Sequence, residues 1–505
     1  MEEQKEKSEE REKQITLPDG TSYRYEILPD QTVRLNACTG GQNRIELPDQ
    51  IEGYKVSRLG RHLFYEDGLL VEEVILPDSI RFIEDEALEF TVCLQKVCLN
   101  SGLIYIGKNA FNATQLTELT IPNTVAWMEE PGEWGIDLRL EDGNSNYSDD
   151  GFGIYYIGKD GKKYLAAVHA MDQRKSYRLA EDCHGILKHA LLSDRQLEEL
   201  ILPKSVQKIA EGALTVEKGD DWYEDSLAEE AKGGQLRLQV RLEEGNPVLS
   251  IQEGCLLENR TLTKDEPQDN VIGREDRVPW QNTRKIPSAV SARTYTALYG
   301  NPGFTGDLVR LSRDLDAPLT AVGAEAFYGC DISEIRLPLS LKRIGAEAFL
   351  DCRLKKACLE EKEGWTEIPF PSEYGYLMNR LLESFGKNSY RYDYSTYDAN
   401  LLNGSWNREK LRMAVSRLKQ GRHLKADIKK SIEDRIFADM EEILKLLSDQ
   451  HDGETLEELA ALHFFTEENT DKAIAYLNRS SSKELLPILL NIKRSQKKTI
   501  FDFSL

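Results

Sequence analysis

The chain has 505 residues, 40% of them apolar and 30% charged, a balance that excludes both a disordered polymer and a collagen-like one and leaves room for several domains or a repeat array. Its 87 acidic and 65 basic side chains give a formal net charge of −22, and because residues 373–505 carry 21 of each sign, the whole excess lies in 1–372. A field of that sign repels nucleic acid and anionic lipid; it favours basic partners or serves solubility alone.

From the N-terminus, residues 1–14 read as a charged, disordered opening without the apolar run of a secretory leader. A cytoplasmic location is therefore expected, with the cell surface as the alternative if a leader has been removed. The aliphatic run Leu485-Leu486-Pro487-Ile488-Leu489-Leu490 is far too short to span a bilayer, so no membrane insertion is expected. Eight cysteines with no C-x2-C pair read as free, mostly buried thiols.

One element then recurs. Val71–Leu76, Leu94–Leu99, Leu116–Ile121, Leu197–Leu202, Ile332–Leu337 and Leu354–Leu359 all fit L-x-x-L-x-L, with starts at 71, 94 and 116 and again at 332 and 354. Those intervals of 23, 22 and 22 residues lie within the leucine-rich-repeat period. A second signature follows at Leu59–Phe64, Ile83–Leu88, Ile106–Phe111, Val322–Phe327 and Ile344–Phe349, usually written I-G-x-x-A-F. Alternating apolar residues predict a short strand with one face inward, and the proline after it predicts its end, because proline gives no N–H to a ladder. Glycine suits a tight bend, and the Ala-Phe pair fills a coil that must stack on its neighbours to bury its interior.

The combined pattern L-x-x-L-x-L-P-x-x-[IV]-x-x-I-G-x-x-A-F, with Cys330 and Cys352 each three residues past a phenylalanine, resembles the BspA-type leucine-rich repeat of bacterial surface and intracellular proteins. The likeness runs from about 45 to 360 with two gaps, and Ile45–Val56 resembles that family's first coil. It implies a curved, β-rich, right-handed solenoid of short strands and few helices over 15–372, which makes an α+β chain with the all-α domain that helical spacing predicts over 373–505. It also implies protein or surface binding, and brings no catalytic residue with it.

Two stretches break the register. Within 129–176, Ile154–Leu165 reads as a hairpin about Asp160-Gly161; within 215–320 lie an acidic segment at 217–234 and a strand-like Leu238–Leu242. Both resemble hairpins inserted in other such arrays and read equally as loops. Beyond 372, Ile428, Ile432, Ile436, Met440, Leu444 and Leu447 keep helical spacing, and Thr455 with Glu458 forms a capping box before Leu459. Helical runs follow near 471–479 and 483–494, in a rhythm that resembles the helix pairs after BspA arrays in some relatives.

Chemical motifs fail on context. Gly153 to Lys159 fits the P-loop spacing, but Asp160 stands where Ser or Thr must bind Mg²⁺ and begins a turn where a helix is needed. There is no H-E-x-x-H or G-x-S-x-G, so neither a catalytic group, a metal nor a cofactor is expected. The tyrosines at 374, 376, 390, 392, 394 and 397 read as a domain-packing cluster, and Lys493, Arg494, Lys497 and Lys498 as a solvated helix end rather than a nucleic-acid patch.

A non-catalytic protein-interaction scaffold is the reading that results; its rivals are a carbohydrate- or host-surface-binding adhesin and an enzyme sited in the excursions or helices. Strand alternation turns Glu73 and Ile75, Lys96 and Cys98, Glu118 and Thr120, Glu199 and Ile201, and Glu334 and Arg336 outward in one row. That row reads equally as a strip that holds a basic segment of an unidentified protein partner and as a merely soluble sheet surface.

Overall fold

The computed structural model describes residues 12–501 apart from 41–42, 66–70, 194–195, 217–236, 262–292, 353, 363, 370–376, 378–379, 382–383, 385–392, 422 and 480–483. The acidic segment at 217–234 and Tyr374, Tyr376, Tyr390 and Tyr392 lie outside those residues. Two compact units form, one from Met1–Ile251 with Cys255–Ala292 and one from Gln252–Gly254 with Arg293–Leu505.

In the first unit each coil contributes a strand to two parallel ladders. The L-x-x-L-x-L strands Arg44–Glu46, Glu73–Ile75 and Lys96–Cys98 form one stretch of the first ladder; Glu118–Ile121 with Asp137–Leu140, and Ser176–Arg178, Glu199–Leu202 and Gln239–Leu242, form others. The second ladder joins Val33–Thr39, Tyr54–Leu59, Phe82–Ile83, Tyr105–Ile106 and Trp127–Met128. Val71, Val74, Leu94, Ile106 and Phe111 have no exposure between the ladders. The carbonyls of Pro77, Pro122 and Pro203 each accept from the N–H three residues on, so the proline that ends a strand also opens the turn out of it.

The glycine of the second signature does something other than bend. Gly60, Gly107 and Gly345 do not have positive φ; a Cβ on Gly107 would lie 2.4 Å from the Asp85 nitrogen, and one on Gly345 2.1 Å from the Ala324 nitrogen, so these glycines admit the backbone of the preceding coil. The left-handed bend falls two residues later. In the first unit His62, Glu86, Asn109, His189 and Gly212 form a column with φ between 53° and 71°, mostly without glycine, and in the second unit Glu325 and Glu347 take the same conformation.

An antiparallel meander of Lys13–Thr16, Ser22–Ile27 and Val33–Thr39 precedes the coil at Ile45, so Lys13 and Gln14 of the expected disordered opening are already in a strand. The break at 129–176 stays within the array: Asp137–Leu140 pairs with Glu118–Ile121, and a hairpin of Gly153–Ile157 and Lys163–Val168 turns through Gly161 at φ 74° before pairing onward with Cys183–Ile186. Leu238–Leu242 is largely the expected strand, at Gln239–Leu242.

The second unit repeats the plan. Glu334–Leu337 and Lys356–Glu361 are parallel, Gly364–Pro369 returns antiparallel, and Phe304, Phe327 and Phe349 stack through the interior with centroids 4.8 and 5.4 Å apart. Helices follow from Ser395–Leu402 to Leu486–Phe501. The last coils and the helices share one compact unit: the Glu367 N–H donates to Gln420 Oε1 at 2.8 Å and the Tyr397 hydroxyl to the Pro369 carbonyl at 3.1 Å. Tyr394 and Tyr397 are buried there.

Two helix readings change. The stripe from Ile428 to Leu447 is two helices, Ala426–Ala438 and Met440–Asp449, parted at Asp439, whose carboxylate accepts from the Trp406 indole at 2.9 Å. The capping residue of Gly453–Ala461 is Asp452, not Thr455: its carboxylate accepts from the Thr455 N–H at 3.2 Å and pairs with Arg408 and Arg412. Burial pushes that carboxyl up, but the bonds from Arg412, Thr455 and Arg408 outweigh it and hold it at about 2.

Candidate binding surface

The structure turns the ten first-ladder side chains outward but does not unite them. Glu73 stands opposite Lys96 and Ile75 opposite Cys98; Glu118 and Thr120 face Asp137 and Arg139; Glu199 and Ile201 lie between Ser176 and Arg178 on one side and Gln239 and Arg241 on the other. Glu334 and Arg336 face Lys356 and Cys358 in the second unit. The expected single row is therefore four separate stretches of ladder.

Nor is it a bare acidic strip. Glu73 pairs with Lys96 at 2.7 Å and Arg44 at 3.2 Å, Glu118 with Arg139 at 2.8 Å, Glu199 with Arg241 at 2.6 Å, and Glu334 with Arg336 at 2.8 Å and Lys356 at 3.1 Å. The Lys96 hydrogen bond holds the Glu73 carboxyl below its usual range. Each glutamate of the strip finds its counter-ion within a neighbouring coil or its own strand.

The second ladder presents the opposite character. Its register sets Arg34 beside Arg58, Arg58 beside Phe82, Phe82 beside Tyr105 and Tyr105 beside Trp127, all half-buried on the outward face. The alternating Leu59, Ile83, Ile106 and Met128 point inward at 1% exposure or less. Arg58 lies 4.1 Å over the Phe82 ring, Arg34 pairs with Glu84 at 2.7 Å, and a shallow concavity of about 430 Å³ opens beside these arginines. The Tyr105 hydroxyl donates to Asp85 at 3.2 Å, the Trp127 indole to Glu129 at 2.8 Å, and Tyr156 meets Trp127 edge-on at 4.8 Å. This row was missed in the sequence, although its signal is there: the residues before the second signatures at Leu59, Ile83 and Ile106 are Arg58, Phe82 and Tyr105, and Trp127 stands likewise before Met128.

Histidine and carboxylates meet at two corners of the left-handed column. His62 lies 3.4 Å from Glu86 and 3.8 Å from Glu89, with Arg61 also on Glu86; His189 contacts Glu130 at 3.2 Å and Glu133, which Lys108 and Lys188 neutralise. Burial would raise the Glu130 carboxyl, but bonds from His189 and Lys108 and the Lys188 charge hold it far below its usual range. Both have metal-ligating residue types, and both already carry cations from the chain itself. A third histidine, His169, bridges Asp137 at 2.9 Å and Asp149 at 3.1 Å through its two ring nitrogens. Cys330 is buried and Cys352 half-buried, each with its thiol against a carbonyl of the preceding coil, Gly300 and Phe327.

Stacked coils, two parallel ladders and an apolar interior define a leucine-rich-repeat solenoid, followed by helices. Residues 42–130 and 312–369 match the family described as BspA type Leucine rich repeat region (6 copies). Similar solved structures are bacterial. They include a leucine rich cell surface protein from Faecalibacterium prausnitzii A2-165 (15% identity, 70% of this chain and 96% of that one, TM-score 0.31). Two others are a leucine-rich repeat protein from Bacteroides capillosus ATCC 29799 (28%, 25% and 98%, 0.23) and the pneumococcal vaccine antigen PcpA (13%, 68% and 69%, 0.31). No curated protein matches the chain. Among the described residues no helix is long and apolar enough to cross a membrane.

Proposed function

We propose that the chain is a non-catalytic binding protein whose first unit holds a protein partner on its outward strand faces. The observation that carries this reading is the unbroken row Arg34, Arg58, Phe82, Tyr105 and Trp127 across five paired strands. Aromatic and arginine side chains supply most contact energy in protein interfaces, whereas exposed ion pairs supply little. The paired strip containing Glu73, Ile75, Lys96, Glu118, Thr120, Glu199 and Ile201 serves in this reading as a flank, and Glu334 with Arg336 belongs to the second unit's own surface.

Capture from native lysate with wild type and with the double variant Tyr105→Ala, Trp127→Ala decides between the faces. A partner kept by wild type and lost by the double variant supports the second ladder. A partner lost only on Glu73→Gln, Glu118→Gln and Glu199→Gln restores the first ladder, and equal recovery from all three proteins moves the site off both faces.

A further inference from the structure

The second-ladder row has a spacing and a chemistry that select among partners, given the binding reading above. The two central strands of the aromatic stretch are hydrogen-bonded on both sides, Phe82–Ile83 to Tyr54–Leu59 and Tyr105–Ile106, and Tyr105–Ile106 to Phe82–Ile83 and Trp127–Met128. A partner therefore cannot extend the sheet there and must lie over the side chains. Adjacent strands stand about 4.8 Å apart, so Phe82 and Trp127, two strands apart, are separated by roughly 9.6 Å along the stacking direction. One turn of polyproline II helix, three residues rising about 3.1 Å each, spans roughly 9.3 Å. Residues three apart in such a segment would meet Phe82 and Trp127, with the intervening turn over Tyr105.

Ring edges narrow the choice further. The donors of Tyr105 and Trp127 are committed to Asp85 and Glu129, so they are not directed at a ligand's carbonyls. Polyproline II leaves its backbone to water and asks for apolar faces instead, a demand that aromatic-lined grooves meet in general. The same two bonds place a carboxylate at the edge of each of the two rings. Arg58 covers Phe82 at the far end, so a basic side chain of the ligand is best held on the Asp85 and Glu129 side. That charge also agrees with the acidic excess of residues 1–372.

We propose that Phe82, Tyr105 and Trp127, with Asp85 and Glu129, form a docking strip for a basic, proline-rich segment of a partner protein in polyproline II conformation, running along the stacking direction of the coils.

The test uses the full chain and three labelled probes followed by fluorescence anisotropy: a peptide of repeated Pro-Pro-Arg, one of repeated Gly-Ser-Arg with equal charge, and a β-1,4-linked glucose oligomer. The proline peptide is expected to bind with a Kd on the order of 10–100 µM and to weaken roughly tenfold in Trp127→Ala or Tyr105→Ala. Asp85→Asn with Glu129→Gln, which keeps all three rings, should weaken it as well and flatten its salt dependence, a readout that remains if a ring variant does not fold. Equal affinity for Gly-Ser-Arg would overturn the proposal by reducing the strip to charge. Binding of the glucose oligomer alone, lost in Trp127→Ala, would also overturn it, while leaving this face as the binding face of a glycan-recognising protein. Proline-peptide binding indifferent to every substitution in the row would overturn both this assignment and the choice of the second ladder.

Discussion

The two outward faces of the first unit rest on one interior and differ in what they leave for a partner. On the first ladder Glu73, Glu118 and Glu199 each meet a cation from an adjacent coil, and the face satisfies itself. On the second, Arg58, Phe82, Tyr105 and Trp127 follow one another strand by strand, half-buried, with Arg58 over the Phe82 ring and Tyr156 edge-on to Trp127. Both rows occupy equivalent alternate positions, and both solve the problem of stacking like positions every 22 or 23 residues. Alternating signs across neighbouring strands neutralise a surface; repeating aromatics leave part-exposed apolar area that a partner can cover further.

The largest effect should come from what the ladders share. Phe349 is 1% exposed and stacks on Phe327 at 5.4 Å, so Phe349→Ala is expected to cost about 3–5 kcal/mol through lost burial and a cavity. Chemical denaturation measures it; a loss below about 1 kcal/mol, the size of a surface change, would place the ring outside the interior. Arg417→Ala should cost a similar amount, about 3–5 kcal/mol, because Arg417 and Asp398 are paired at 2.7 Å with both side chains buried, and removing one partner strands the other charge. Surface pairs of the first ladder have no such leverage, and equal losses at Arg417 and at a strip glutamate would erase that distinction.

A smaller, pH-dependent effect belongs to the excursion at 129–176. Both ring nitrogens of His169 meet carboxylates, which requires the protonated imidazole to donate twice. Burial alone would lower its pKa, but the bonds to Asp149 and Asp137 outweigh burial and raise it. A raised folded value means stabilisation that is complete below the unfolded pKa of about 6.5 and lost as pH rises through the folded one. Thermal melts at rising pH should show Tm falling across that window in wild type and not in His169→Gln. Arg139 lies 3.9 Å from Asp137 and adds a fixed positive charge to the same carboxylate. A Tm decline of equal size in His169→Gln would assign the effect to other groups.

Much of this architecture was legible because apolar residues at a fixed period declare both a strand and its stacking. The inward leucines, the terminating prolines, the phenylalanine plugs and the helical end all follow from such spacing. Three things did not. The left-handed slot before each Ala-Phe is filled by His62, Glu86, Asn109 or Glu325, residue types that announce no bend, so the bend was assigned to the glycine instead. The coil at Asp137–Leu140 has Leu138 and Leu140 but lacks the opening leucine, and its pairing with Glu118–Ile121 was lost with it. The neutralised strip was hidden because counter-ions come from other coils: Glu73 is 23 residues from Lys96 and 29 from Arg44, whereas Glu199 is 42 from Arg241. A varying offset conceals the partner until the coils are stacked.

The smallest effects concern that strip, and they sharpen the comparison most. Glu73 is an outward, ion-paired residue in high dielectric, where the pair's attraction is largely offset by side-chain entropy and screened by salt. Glu73→Gln should therefore leave Tm within error of wild type. Glu73→Lys is a different experiment, because it sets a further cation between Lys96 and Arg44 on directly opposed positions of two neighbouring strands. That variant should melt measurably lower than Glu73→Gln, and the gap between the two should shrink as salt rises from about 0.05 to 0.5 M, since screening shortens the reach of exposed charges. Charge reversal along the strip consequently cannot serve as a neutral probe of binding, and only the glutamine series separates loss of a partner from loss of fold. A Glu73→Lys protein as stable as Glu73→Gln at low salt would mean that Lys96 and Arg44 turn away from this position in solution, returning the first ladder to a bare acidic face open to a basic segment.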